Sequence, residues 1–192
     1  MRLALRRDRV VLGVSVAVVA AMTISGAASI AELYPTAQSR ASFAASVGAN
    51  PALGALTGPA FDLSSVGGIL AWRVGGTVAV LSALIGLFIV IRHTRAEEEA
   101  GRLELLGAGV VGRHAPLTAA LLVAGGGGLA LAVAIAAGLI GIADLPAPGS
   151  IALGLALGGA GWTFAAIAAV AAQLTESARA ARAIAATVLG IA

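Results

Sequence analysis

The sequence predicts an all-α fold: a polytopic transmembrane helix bundle with four complete spanning helices, a truncated fifth, and a short cytoplasmic amphipathic helix between helices two and three. Three observations carry that prediction. First, the 192 residues are 59% hydrophobic and only 11% charged, where a soluble domain carries about 25% charged residues. The mean hydropathy is +1.01, and a soluble fold has no interior large enough for that much apolar surface. Second, four charge-free stretches reach the roughly 20 residues that cross a bilayer core of about 30 Å. Third, all 12 basic residues are arginines, and they flank those stretches as membrane anchors do. Their placement sets aside nucleic acid, the partner that a net charge of +3 would otherwise suggest. With zero cysteines there is no disulfide framework, thiolate nucleophile or Cys-type metal site.

The first run covers 10–31, directly after Arg2, Arg6, Arg7 and Arg9. It is longer than the roughly 7 to 15 residues of a signal-peptide core, so it reads as a retained helix despite the small residues Gly26, Ala27 and Ala28. An outer loop, 32–67, leads to the second helix, 68–91. Tyr34, Phe61 and Trp72 fall near that boundary, where amphipathic aromatics belong. The third helix, 115–142, opens on Pro116, whose missing N–H costs nothing in a first turn. Asp144-Leu145-Pro146-Ala147-Pro148-Gly149 is expected to break both neighbouring helices, which starts the fourth at 151 and runs it to 173. A fifth run, 183–192, is too short to span and ends without an anchor, so the chain is expected to be a fragment of a longer protein.

Inside the helices, Gly125 to Gly128 and the Gly154-xxx-Gly158 spacing read as packing seams, because small residues let backbones approach closely in lipid. The sharper alternative is that four consecutive glycines soften helix three. Trp162 is expected to pack against neighbouring helices, with a place on a substrate pathway as the alternative.

Arginines near helix ends are retained on the cytoplasmic side. Arg2, Arg6, Arg7 and Arg9 precede helix one; Arg92, Arg95, Arg102 and Arg113 lie between helices two and three; Arg179 and Arg182 follow helix four. Only Arg40 and Arg73 fall on the other side, Arg73 at a point where it can snorkel outward past Trp72. The N-terminus is therefore expected in the cytoplasm, in a multi-pass protein of the plasma membrane, with 32–67 and 144–149 outside.

The segment 92–114 holds the densest charge. Arg95 with Glu99 and Glu98 with Arg102 are spaced as i,i+4 helical pairs, each worth about 0.2–0.5 kcal/mol when exposed. Leu103, Leu106 and Val110 recur on one face, so the second half suits the inner membrane surface. Glu97, Glu98 and Glu99 are adjacent, and consecutive helical residues diverge by about 100°. A solvated face is accordingly favoured over a metal or acid–base site, and no catalytic, cofactor or metal residue is expected. A short charged helix here is also what a membrane subunit needs to be pushed by a cytoplasmic motor.

Arg95-Ala-Glu-Glu-Glu-Ala-Gly-Arg-Leu-Glu-Leu-Leu106, ending in Val111-Gly-Arg113, resembles the signature of the integral membrane permeases of actinobacterial tetronasin-type ABC exporters for polyketide antibiotics. Asn50 to Asp62 with Gly67 to Arg73, and Gln173 to Arg182, are similar to that family's outer loop with helix-two entry and to its second cytoplasmic connection. Gly54 and Thr57 depart from the pattern in the outer loop, where a bulkier or basic residue and an aromatic are expected. The resemblance implies a longer protein of about two sets of six helices, of which this chain is the N-terminal portion. It implies a hydrophobic drug or antibiotic substrate and a separate ATPase subunit, expected as a dimer, which uses the ATP. It also implies that 95–113 docks on that ATPase, with Arg95, Glu97, Glu98, Glu99, Arg102 and Glu104 as coupling candidates. Independently, a P-loop needs a lysine that reaches the phosphates, and this chain has none.

Three other readings stay open. An ion-coupled secondary carrier predicts ionisable residues near mid-membrane, where each costs several kcal/mol, and the four central stretches contain none. An ATPase-driven regulator of an outside partner calls for more than the outer loop offers. A membrane enzyme would need partners for His93 and His114, which read as interfacial polar residues.

Overall fold

In the computed structural model of the chain, residues 2–101 and 115–192 are described, and among them all regular structure is helical. The elements are α1 (Arg2–Leu33), α2 (Ala37–Gly48), α3 (Pro51–Thr57), α4 (Val66–His93), α5 (Arg95–Glu99), α6 (Ala115–Gly141), α7 (Ala147–Leu174) and α8 (Ala178–Ile191). Four of these, α1, α4, α6 and α7, are long and apolar enough to cross a membrane. The chain is a multi-pass membrane protein. Apolar side chains such as Val10, Val14, Val18, Phe88, Leu129 and Val133 are exposed on the bundle, as lipid contact requires.

Helix α7 is central and packs along both α6 and α4, while α1 lies against α6 and α4 from outside. Glycine determines how closely these helices approach. A Cβ added at Gly158 would lie 2.5 Å from the Gly128 carbonyl oxygen, and one at Gly154 would lie 2.5 Å from that of Ala132. On its other side α7 meets α4 through Gly161, where a Cβ would lie 2.8 Å from Ser82 Oγ, and Gly86 of α4 faces the Gly161 backbone. Apart from the Ser82 hydroxyl against Gly161, these are approaches to backbone atoms that any side chain would force apart. Helix α6 runs without interruption through Gly125 to Gly128. Gly127 and Gly128 receive Leu12 and Trp162, while Gly125 and Gly126 face open space.

Several boundaries differ from those the sequence suggests. The break between α6 and α7 falls at 142–146, slightly earlier than 144–149, because α7 already begins at Ala147 and takes Pro148 into its first turn, where proline removes no helical hydrogen bond. The reversal is carried by Asp144, whose φ of 51° is a left-handed conformation that aspartate tolerates. It lets the Leu145 N–H reach back to the Leu139 carbonyl at 2.9 Å. Likewise α8 begins at Ala178 and not at 183, because Ser177 caps it by accepting from Ala180 N–H at 3.1 Å. Arg179 and Arg182 are therefore helical and exposed, and Ala178, Ala181 and Ala185 form the buried face.

The segment 32–67 is a folded cap. Thr36 and Ser39 form a capping box that starts α2, and Asn50 caps α3. Tyr34 stacks on Phe43 at 4.7 Å and Phe43 meets Trp72 edge-on at 6.1 Å, while Phe61 stays exposed. Trp72 Nε1–H donates to the Gly58 carbonyl at 3.0 Å, and Arg40 donates to the carbonyls of Ser64 at 2.7 Å and Tyr34 at 3.0 Å. Asp62 accepts from Ser64 N–H at 2.8 Å and from the hydroxyls of Ser64 and Ser65, and Ser65 in turn caps α4. Gly68 leaves room for Asp62 against the first turn of α4.

Hydrogen bonds from the Ser64 and Ser65 side chains and the Ser64 backbone hold the Asp62 carboxyl below its ordinary value. A lowered folded pKa contributes stability above the ordinary carboxylate range, and that contribution is lost as pH falls through the lowered value. Acidification below about pH 4 is therefore expected to loosen the cap. In a Trp162→Phe background, the emission of Trp72 should move to the red in acid, and Asp62→Ala should show the same shift at neutral pH. Identical emission in both conditions would show that Asp62 does not hold the cap.

Candidate functional site at the basic end

The N-terminus of α1, the C-termini of α4 and α7 and the N-terminus of α8 converge opposite the cap. Arg9, Arg92, Arg95, Arg179 and Arg182 all lie at this end. A core of Leu87, Val90 and Ile91 on α4, Val123 and Ala124 on α6, Ala168 and Ala171 on α7, and Ala178, Ala181 and Ala185 on α8 holds the helix ends together.

Helix α4 stops at Thr94, whose ψ of −94° leaves the helical region and whose hydroxyl donates back to the Val90 carbonyl at 2.8 Å. The Thr94 carbonyl then starts α5 by accepting from Glu97 and Glu98 N–H, each at 3.1 Å. A single turn of helix is thus mounted directly on a 28-residue spanning helix.

Three of the sequence-predicted residues have defined partners here. Arg95 Nε–H donates to the Ala172 carbonyl in the last turn of α7, and its Nη1 lies 2.5 Å from Glu98 Oε2. Glu99 Oε1 accepts from the Ala178 N–H at 2.6 Å, at the start of α8. The expected Arg95–Glu99 i,i+4 pair is therefore replaced by an i,i+3 pair of Arg95 with Glu98. The reason is electrostatic: a helix N-terminus offers unsatisfied N–H donors and partial positive charge, and Glu99 is within reach of one. Glu97 lies in the first turn of α5. Arg102 and Glu104, with Leu103, Leu106, Val110, Arg113 and His114, lie outside the described residues.

Between α5 and the α7–α8 junction is an open polar cleft of about 620 Å³, lined by Arg95, Glu98, Glu99, Gln173, Thr175 and Glu176. Glu98 remains about half exposed on its rim. This cleft is large enough to receive side chains of a partner.

Sequence reasoning missed a second cluster. Asp8 on α1 is only 2% exposed. Its Oδ1 lies 3.0 Å from Arg92 Nη1, and its Oδ2 contacts His93 Nε2. His93, read from the sequence as an interfacial polar residue, is buried and joins α4 to α1. The available signal was Asp8 itself, a lone acid among four arginines at the mouth of a spanning helix. Beyond it an apolar groove of about 400 Å³ runs between α1 and α4, past Val14, Val18, Leu84 and Phe88.

Trp162 meets α6 on one side and is 42% exposed on the other. Its Nε1–H donates to the Gly125 carbonyl at 2.9 Å, with the ring against Gly128. The glycine run on α6 thus provides both a bare carbonyl and the space beside it.

No family model matches the chain. Among curated proteins it is similar to the multidrug efflux system permease protein Rv1217c of Mycobacterium tuberculosis, at 45% identity over 193 residues. The alignment takes in 100% of this chain and 35% of that relative, so the chain spans 35% of the length of the curated protein it matches.

Proposed function

We propose that this chain is membrane-spanning machinery of an ABC-type efflux permease, of the tetronasin type, that moves hydrophobic drug-like molecules out of the cell while a separate ATPase subunit hydrolyses ATP. The observation that carries the reading is the identity to a multidrug efflux permease along the entire chain. The short charged helix α5, mounted on one spanning helix and beside the ends of two others, gives an external motor a place to push. In this reading the basic end faces the cytoplasm, where arginines are retained, and the ATPase, acting as a dimer, docks on α5 and the segment after it. Arg102 and Glu104 remain candidates for that contact, together with Glu97 and Glu98.

Two experiments test this. In the full-length permease expressed with its ATPase, replacing Glu97 and Glu98 together with alanine is expected to lower drug efflux at least roughly tenfold, the loss of about 1.4 kcal/mol of coupling. Membrane insertion should be retained, and unchanged efflux would sink the docking role. A reporter at Ala147 should be accessible from outside and one at Ala100 from the cytoplasm; the reverse labelling would overturn the orientation.

A further inference from the structure

Helix ends leave unsatisfied backbone groups, N–H donors at the start and carbonyls at the finish. At the junction of α7 and α8 each kind is met by a different side chain of α5. The Ala172 carbonyl, in the last turn of α7, accepts from Arg95 Nε–H. The Ala178 N–H, the first of α8, donates to Glu99 Oε1 at 2.6 Å. Ser177 Oγ serves Ala180 N–H, and the Ser177 carbonyl accepts the first helical bond from Ala181, so Glu99 supplies what the local cap does not. The charges match the helix dipoles, a guanidinium at a C-terminus and a carboxylate at an N-terminus. At its other side α5 is fixed to α4 through the Thr94 carbonyl. Ala96, between the two charged residues, packs on the alanine-rich core shared by α4, α7 and α8.

We infer that Arg95 and Glu99 are positioning residues that fasten α5 across the α7–α8 junction, so that α4, α7 and α8 move as one unit when α5 is displaced. Both residues bond to their own chain from the lining of the open cleft, Glu99 while remaining exposed, so their anchoring role does not need a partner in place. The functional half of this inference rests on the exporter reading; the structural half does not. A single turn of helix has little stability of its own. Fastening at both ends is what would make it a lever for force arriving from outside.

The experiment uses the full-length permease with its ATPase in lipid nanodiscs and compares Glu99→Ala, Glu99→Gln, Arg95→Ala and Arg95→Lys. Amide hydrogen exchange at Ala178 is read first. Glu99→Ala should speed it roughly fivefold to tenfold, as expected for loss of one charge-assisted hydrogen bond. Glu99→Gln keeps an acceptor oxygen and should stay closer to the parent. Unchanged exchange in Glu99→Ala would overturn the brace, whatever the protein transports.

Drug exported per ATP hydrolysed is read second. It should fall several-fold in Glu99→Ala and Arg95→Ala and recover substantially in Glu99→Gln and Arg95→Lys. If glutamine proves as damaging to export as alanine while exchange at Ala178 stays at the parent rate, Glu99 acts by its charge on a partner and the positioning role is wrong. Faster exchange with an unaltered ratio would likewise remove that role. A parent protein that exports no drug would defeat the exporter reading, and with it the coupling role, while the exchange data still decide the brace.

Discussion

Gly158→Leu is expected to separate α6 from α7 and to yield a protein that inserts but does not hold its bundle. A Cβ at this position would sit 2.5 Å from the Gly128 carbonyl oxygen and 3.0 Å from Ala132 Cβ. Neither neighbour is the free end of a flexible side chain, so the helices themselves must move. Even Gly158→Ala should cost about 1–3 kcal/mol, the usual range for overpacking a close-packed interior. In lipid the loss is felt directly, because apolar helix surfaces gain little from the hydrophobic effect and associate largely through packing. Gly159→Ala is the control. It has the same chemistry one residue away, but nothing lies within 4 Å of its added Cβ, and it should gain up to about 1 kcal/mol from helix propensity. Thermal unfolding in mild detergent would read both variants. Equal melting temperatures would show that the α6–α7 seam is not set by contact between backbones.

The second large effect is expected at Asp8. Replacing it with alanine removes the carboxylate that pairs with Arg92 and contacts His93, at a position that is 2% exposed. Asp8 is buried but Arg92 is 38% exposed, so water compensates part of the charge left behind, and the loss should lie between the ~1 kcal/mol of a surface pair and the about 3–5 kcal/mol of a fully buried one. Among the described residues Asp8 supplies the polar side-chain contacts of α1 with α4, and Val10, Val11 and Val14 of α1 are exposed. Loss of Asp8 should therefore loosen the start of α1 from α4. The double variant Asp8→Ala with Arg92→Leu removes both charges and should recover much of the lost stability, since an apolar replacement of the whole pair is tolerated better than half of it. Measured stabilities that add, with no recovery in the double variant, would show that Asp8 and Arg92 do not interact. A loss below about 1 kcal/mol would place the pair with ordinary surface ion pairs.

Much of the fold was legible because membrane insertion imposes a coarse rule on sequence. A run of apolar residues long enough to span must be helical, since no water is present to satisfy its backbone. The runs at 10–31, 68–91, 115–142 and 151–173 lie within the helices α1, α4, α6 and α7, apart from a residue at the end of the third. The ends were less legible. Hydropathy does not see capping, so the roles of Ser177, Ser65 and Pro148 emerged only with the backbone. The cap over α4 escaped for a related reason. Its helices α2 and α3 are short, 12 and 7 residues, and the cap is held by long-range contacts such as Arg40 to Ser64 and Trp72 to Gly58.

At the candidate site, the sequence identified Arg95, Glu98 and Glu99 as a charged helical cluster but assigned their partners within that cluster. Spacing along a chain reveals only neighbours on the same helix. Glu99 meets Ala178 and Arg95 meets Ala172, residues far along the chain whose backbone groups carry no sequence signal. Asp8 and His93 are separated by 85 positions, so although Asp8 stands out among the arginines, no spacing rule links it to His93.

By itself the sequence determined the number of spanning helices, the end at which the arginines gather and the absence of a P-loop lysine, because each follows from hydropathy, charge or residue identity alone. Only the tertiary structure decided which glycines are seams and which are open, what Trp162 donates to, and that α5 is fastened across two helix ends. Those depend on which backbone atoms meet between helices, and a carbonyl or an amide is the same group at every position until the fold gives it a neighbour.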